Sequence, residues 1–251
     1  MTKQIYGWKP DLPDHRDFVY SKLFRMPTAL PKNVDLRSLC SPVENQRRLG
    51  SCTAQALVGA LEFLEKKKNM PFADLSRLFV YYNERVIEGT VSWDSGAMIR
   101  DGVKTLQQQG VCKESLWPYS IKKYQYKPKK KCYNDALTHQ IIAYERLSTL
   151  DNMRSCLADG FPFVFGFSVY SSFESVEVKR TGIVNMPKPE ESLLGGHAVL
   201  AVGYNDNEQR FIVRNSWGAS WGQKGYFTMP YAYLGDQNLS GDFWTIRDIE
   251  K

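Results

Sequence analysis

The apolar residues of this chain change period once, near Pro162, and that switch limits the folds open to it. Before it, Leu57, Val58, Leu61 and Leu64 recur at i, i+1, i+4 and i+7, the spacing of one helix face, with Ser51 available as N-cap. Leu75, Leu78, Phe79 and Tyr82 predict a second helix. Ile99, Val103 and Leu106 predict a third, closing at Gly110, and Leu150, Met153 and Leu157 a fourth, closing at Gly160. An irregular stretch containing LWPY separates the last two. After Pro162 the runs FVFGFSVY, HAVLAVGYND, RFIVRN, GYFTM and DFWTI are short, β-branched or aromatic, and divided by turn residues, as strands are. A hairpin turn at Asn205-Asp206-Asn207-Glu208 would lay the second run beside the third and bring His197 towards Asn215. The expected class is α+β: a helical left half and an antiparallel β-sheet or partial-barrel right half, with a cleft between them.

Residues 1–29 follow neither period. With Pro10, Pro13 and Pro27 they read as an extended arm that needs a surface to lie on, leaving 30–251 as the folded domain. A length of 251 residues, 43% of them apolar, is enough for one unit or two halves sharing a groove, and it excludes disorder as an account of the whole. No apolar run approaches the ~20 residues of a membrane span and no secretory signal is visible, so the chain reads as soluble, with its compartment, secreted or not, left open. The net charge of +6 gathers at Lys66-Lys67-Lys68 and around Lys127-Pro128-Lys129-Lys130-Lys131. Neither run carries interleaved aromatics, so they read as a solvated helix end and loop, and no nucleic-acid or membrane partner is expected. The five cysteines form no CxxC pair, which argues against zinc.

Three residues suggest nucleophilic chemistry. Cys52 falls in the first turn of the first helix, where unsatisfied N–H groups and the helix dipole favour a thiolate. A buried structural thiol is the blander reading. Of three histidines, His15 lies in the arm and His139 follows the lysine-rich loop, whereas His197 opens a strand directly after Gly195-Gly196, whose lack of bulk suits the rim of a cleft. Asn215 ends RFIVRN, with Trp217 and Trp221 close by to cover a hydrogen bond from an imidazole and keep water from it. Taken singly, His197 and Asn215 fit a locally satisfied histidine and a turn asparagine. Taken together and in this order, the three residues supply a thiol, a base and an orienting group.

The segments Gln46-Arg47-Arg48-Leu49-Gly50-Ser51-Cys52, Gly196-His197-Ala198-Val199 and Asn215-Ser216-Trp217-Gly218 resemble the papain (cathepsin) family of cysteine peptidases, from about Leu30 to about Arg247. His197 falls within the ~130–150 residues downstream of the nucleophile given for papain itself, and Asn215 lies slightly beyond. The resemblance implies an endopeptidase acting on peptide or protein substrates as a monomer, through an acyl-enzyme and without metal or organic cofactor. It assigns catalysis to Cys52, His197 and Asn215, gives Gln46 an oxyanion-hole amide, and has Trp217 shield the unit. Gly96 would pair with an extended substrate. Met98, Gly166 and Gly195 would shape the pocket for the second residue before the cleaved bond, where an apolar or aromatic side chain is expected. The arm resembles the short leader of some microbial members and is expected to regulate the cleft as a prosegment. Two features depart from the family: Leu49 removes a usual disulfide cysteine, and Thr53 replaces an aromatic. Cys112 and Cys132 flank the LWPY loop, where a disulfide would stiffen it. Two other readings are a peptide-binding relative without turnover, disfavoured by the full set of four residues, and a cysteine acyltransferase, disfavoured by an asparagine where an aspartate is usual.

Overall fold

A computed structural model describes residues 4–20 and 29–250. The rest of the predicted arm, Pro27 included, lies outside the described residues. The arm carries strand β1 (Trp8–Lys9), and β2 (Asn33–Asp35) follows it. Helix α1 (Cys52–Lys67) has its predicted bounds, but Ser51 does not cap it through its side chain: the Ser51 Oγ is engaged with the Tyr119 hydroxyl at 2.7 Å. Helix α2 (Arg77–Ile87) begins after Leu75 and is capped by Ser76, whose hydroxyl accepts from the Phe79 N–H. Strand β3 (Ala97–Met98) leads into α3 (Ile99–Gln108), and the LWPY stretch is irregular, as expected, before α4 (Lys130–Ala136).

The second half holds β4 (Ile141–Arg146), α5 (Leu150–Ala158), β5 (Phe163–Tyr170), α6 (Val176–Thr181), β6 (Leu193–Asn205), β7 (Arg210–Arg214), β8 (Tyr226–Pro230), α7 (Tyr231–Gly235) and β9 (Ser240–Ile249). The sequence reading missed β4 and the short helices α4, α6 and α7. The sheet runs β4-β9-β5-β6-β7-β8 with β2 also on β6; every pairing in it is antiparallel and it does not close into a barrel. The predicted hairpin joins β6 to β7, pairing Asn205 with Arg210.

Strand β6 explains how one sheet serves two cores. Its residues alternate: Ala198, Leu200 and Val202 pack into the cluster shared with α1 and α2, while Val199 and Ala201 pack into a second cluster rich in phenylalanine, which Tyr204 joins after a register shift between Ala201 and Gly203. Helix α1 lies against the first face, buried from Cys52 to Glu65. Burying it strands charge, and the structure compensates. Glu62 accepts from Arg77 at 2.7 Å, from the Ser41 hydroxyl at 2.6 Å and from the Leu75 N–H at 3.0 Å, which ties α1 to the start of α2. His139 is a structural histidine, bonded through Nδ1 to Glu65 at 2.6 Å. All five cysteines are free thiols. Cys112 and Cys132 are both buried and unbridged, and Cys132 donates to the Leu116 carbonyl at 3.7 Å. No helix among the described residues is long and apolar enough to cross a membrane.

Arg77→Ala would leave the Glu62 carboxylate buried without its counter-charge. Urea unfolding of that variant should show a loss of about 3–5 kcal/mol, with the slope against denaturant unchanged.

Candidate active site

Two glycines let the arm into the groove between the halves. A Cβ on Gly7 would lie 1.8 Å from the Gly50 carbonyl oxygen, and one on Gly96, which has φ +68°, would lie 2.0 Å from the Gly7 carbonyl oxygen. The arm backbone is thus wedged between the loop before α1 and the loop before β3. The Ala97 N–H donates to the Gly7 carbonyl at 2.7 Å, and β1 runs parallel to β3 with Trp8 opposite Ala97 and Lys9 opposite Met98. Gly96 therefore lies where an extended chain pairs, although the chain beside it belongs to the protein itself. Met98 pairs with Lys9 in that register and gives its N–H to Glu88 at 2.7 Å.

Cys52 opens α1 beneath Gly7 and is fully buried. Burial pushes its thiol up to about 11, against backbone hydrogen bonding from Ala198, Gly7 and Thr53. While the arm is docked, this burial opposes the thiolate that a helix N-terminus favours. Thr53 turns inward and donates to Glu84 at 2.6 Å. Glu84 is wholly buried, and that burial raises its pKa far above the carboxylate range. On the same loop, where the usual disulfide cysteine is replaced by Leu49, Asp94 accepts the Gly50 N–H at 3.0 Å and the Tyr81 hydroxyl.

His197, on β6, engages Asn215 Oδ1 through Nε2 at 2.8 Å. The same oxygen accepts the Ser216 N–H at 2.8 Å, which fixes the amide orientation. An acceptor at Nε2 requires the proton there, so Nδ1 carries the lone pair, and Nδ1 is buried with no hydrogen-bond partner. Trp217 stacks on the imidazole with ring centroids 5.1 Å apart and is itself wedged by Phe173 and Trp221. Burial pulls His197 down to about 4, with the Asn215 bond opposing.

Gln46 is locked into the same unit. Its Oε1 accepts the Ser216 hydroxyl at 2.5 Å and its backbone N–H donates to the Ser216 carbonyl at 2.9 Å, which leaves Nε2 to donate to Leu49 O at 3.0 Å and Ile5 O at 3.3 Å. Two arm side chains, Tyr6 and Trp8, pack on the sheet half of the groove at different points. Tyr6 lies against Gly195, His197 and Trp217 and bonds Glu174, whereas Trp8 lies against Gly166 and Gly196. The sequence reading named Gly166 and the Gly195-Gly196 pair but gave no role to Ser216, Tyr6 or Trp8, which no local motif marks.

A family model for the papain family of cysteine proteases matches residues 30–239. The chain belongs to that family. Xylellain, a cysteine protease from Xylella fastidiosa, is 43% identical and superposes with a TM-score of 0.90, covering 98% of this chain and 96% of that one. An uncharacterised peptidase C1-like protein of Acanthamoeba polyphaga mimivirus is 42% identical over 97% of this chain and 87% of its own length. Human cathepsin L2 is 30% identical over 84% of this chain, and the match spans 65% of cathepsin L2. This papain-family chain is a cysteine endopeptidase acting on peptide or protein substrates.

With Cys52 fully buried beneath the docked arm and its thiol pushed up by that burial, iodoacetamide should alkylate it in the full-length chain at least about tenfold more slowly than in a Gly7→Val variant, whose arm is displaced. Peptide mapping of both proteins at pH 8 reads this out, and equal rates would contradict it.

Proposed function

We propose that Cys52 is the nucleophile, His197 the acid and base, Asn215 its orienting partner and Gln46 the side-chain donor of the oxyanion hole, and that residues 1–29 are a prosegment holding the cleft shut. The observation that carries this reading is the imidazole of His197: one nitrogen is committed to Asn215 under Trp217 and the other is buried and free to take a proton. In the open cleft Nδ1 removes the Cys52 proton and the sulfur attacks the substrate carbonyl. The oxygen of the tetrahedral intermediate is held by the Gln46 amide and the Cys52 N–H. The imidazolium gives its proton to the leaving amine, and a water deprotonated by the same imidazole releases the acyl group. Asn215 holds the ring in the tautomer this needs.

The Ile5 carbonyl already accepts from Gln46 Nε2 and Gly7 covers Cys52, which supports the arm as an inhibitor occupying the substrate's place. Its anchoring lies farther along. Asp17 pairs with Arg100 at 2.6 Å and with Arg146 at 2.8 Å, Lys9 pairs with Glu88, and Asp11 accepts from Trp244 at 2.8 Å and from the Arg100 N–H at 3.1 Å. The catalytic set is assembled within one chain, which fits a monomer.

Two variants test this. Gly7→Val forces a side chain into the Gly50 carbonyl and should raise hydrolysis of a fluorogenic dipeptide amide by the full-length protein about tenfold to a hundredfold, the equivalent of ~1–3 kcal/mol of overpacking; unchanged turnover would reject the prosegment role. Asn215→Ala in the Gly7→Val background should lower kcat at least about tenfold, by loosening the ring, while KM changes little.

A further inference from the structure

Tyr119 closes the LWPY stretch, and its hydroxyl is fully committed. It donates to the Gln46 carbonyl at 2.9 Å, so in its 2.7 Å contact with Ser51 the serine is the donor. The Gln55 side chain, one turn along α1, adds a hydrogen bond to the same oxygen. One proton and two lone pairs are thereby used. Burial raises the pKa of the hydroxyl, which keeps it a donor across the working pH range. Its partners bracket the nucleophile: Ser51 immediately precedes Cys52, Gln55 follows it by one turn, and Gln46 carries the amide that faces it.

Irregular though it is, the LWPY stretch holds Tyr119 in place. The Trp117 carbonyl accepts the Ser76 hydroxyl at 2.6 Å, the Ser76 N–H donates to the Cys112 carbonyl at 2.8 Å, and the Tyr119 N–H donates to Glu114. Pro118 fixes the backbone between the two aromatic residues. The tyrosine is thus carried by the capped start of α2. The segment it braces is strained, since Arg47, directly after Gln46, adopts φ +54°. A non-glycine residue stays in the left-handed region only where its surroundings enforce it. Here Asn45 Oδ1 accepts the Arg47 N–H at 2.8 Å, Ser216 holds the Gln46 N–H from the sheet half, and Tyr119 ties the Gln46 carbonyl to the start of α1.

We propose that Tyr119 is a positioning residue for the oxyanion hole: its hydroxyl sets the distance between the Gln46 amide and the Cys52 N–H by bonding the carbonyl of one and the residue before the other. It takes no part in proton transfer and acts through Gln46. The inference rests on the roles proposed above for Cys52 and Gln46. An oxyanion donor stabilises the transition state only when it lies about 2.7–3.1 Å from where the charge develops, so a small displacement is felt in kcat and little in KM.

The test is made in the full-length chain carrying Gly7→Val, so that the cleft is open. Tyr119→Phe keeps the ring and removes the oxygen. It should lower kcat for the fluorogenic dipeptide amide about tenfold, short of the roughly hundredfold or more that losing an oxyanion donor costs, with KM nearly unchanged. Alkylation of Cys52 by iodoacetamide, a displacement that forms no oxyanion, should stay within about twofold of the parent. In a Gln46→Ala background, Tyr119→Phe should cost less than about twofold in kcat, because the residue it acts through is gone. Unchanged kcat, alkylation that falls in step with turnover, or losses that multiply in the double variant each overturn the assignment. Ser51→Ala takes one partner from the Tyr119 oxygen and should lower kcat about threefold in the same pattern. It decides the matter if Tyr119→Phe does not fold, since kcat equal to the parent's would then overturn the inference. Gln46→Ala without effect on kcat would overturn the oxyanion role of Gln46 itself, and this inference with it.

Discussion

Everything in the cleft depends on how α1 is buried. Its N-terminus must meet β6 closely enough to bring Cys52 under the strand that carries His197, and that is possible only because the helix is apolar around most of its circumference and its few charges are paired internally. The ion pair of Glu62 with Arg77 and the bond from Glu65 to His139 are the consequence of that burial. The period switch of the sequence thus has a structural meaning: the helical half carries Cys52, the sheet half carries His197, and their shared core holds the two halves together.

Gln46 and the hydrogen-bonded pair His197–Asn215 form one mechanical unit. Ser216 joins them, since its N–H bonds the oxygen of Asn215 and its hydroxyl bonds the oxygen of Gln46. A displacement of the Asn215 segment therefore reaches Gln46 through two bonds. The departures from the family pattern have local compensations: the Thr53 hydroxyl is satisfied by Glu84, and Asp94 braces the loop that lacks the usual cysteine.

Most of the fold was legible because its signals are local. The α1 period, the glycines that end α3 and α5, and the Asn205–Glu208 turn each announce themselves within a few residues. Strand β4 lacked such a signal, as its alternation is weak and its partner β9 lies far away in sequence. Cys52, His197 and Asn215 were legible through their surroundings: a helix start, a glycine pair and a tryptophan pair. The burial of Cys52 was hidden, since it is set by a segment distant in sequence.

The wedge formed by Gly7 between Gly50 and Gly96 has a kinetic consequence. An inhibitor carried on the same polypeptide keeps a fixed effective concentration at its target, on the order of millimolar for a short tether. Dilution cannot release it, and the fraction of open molecules is the same at any protein concentration. On the prosegment role proposed above, free substrate must outcompete a neighbour that never diffuses away, and turnover is then governed by events that cut or unfasten the arm rather than by how much enzyme is present.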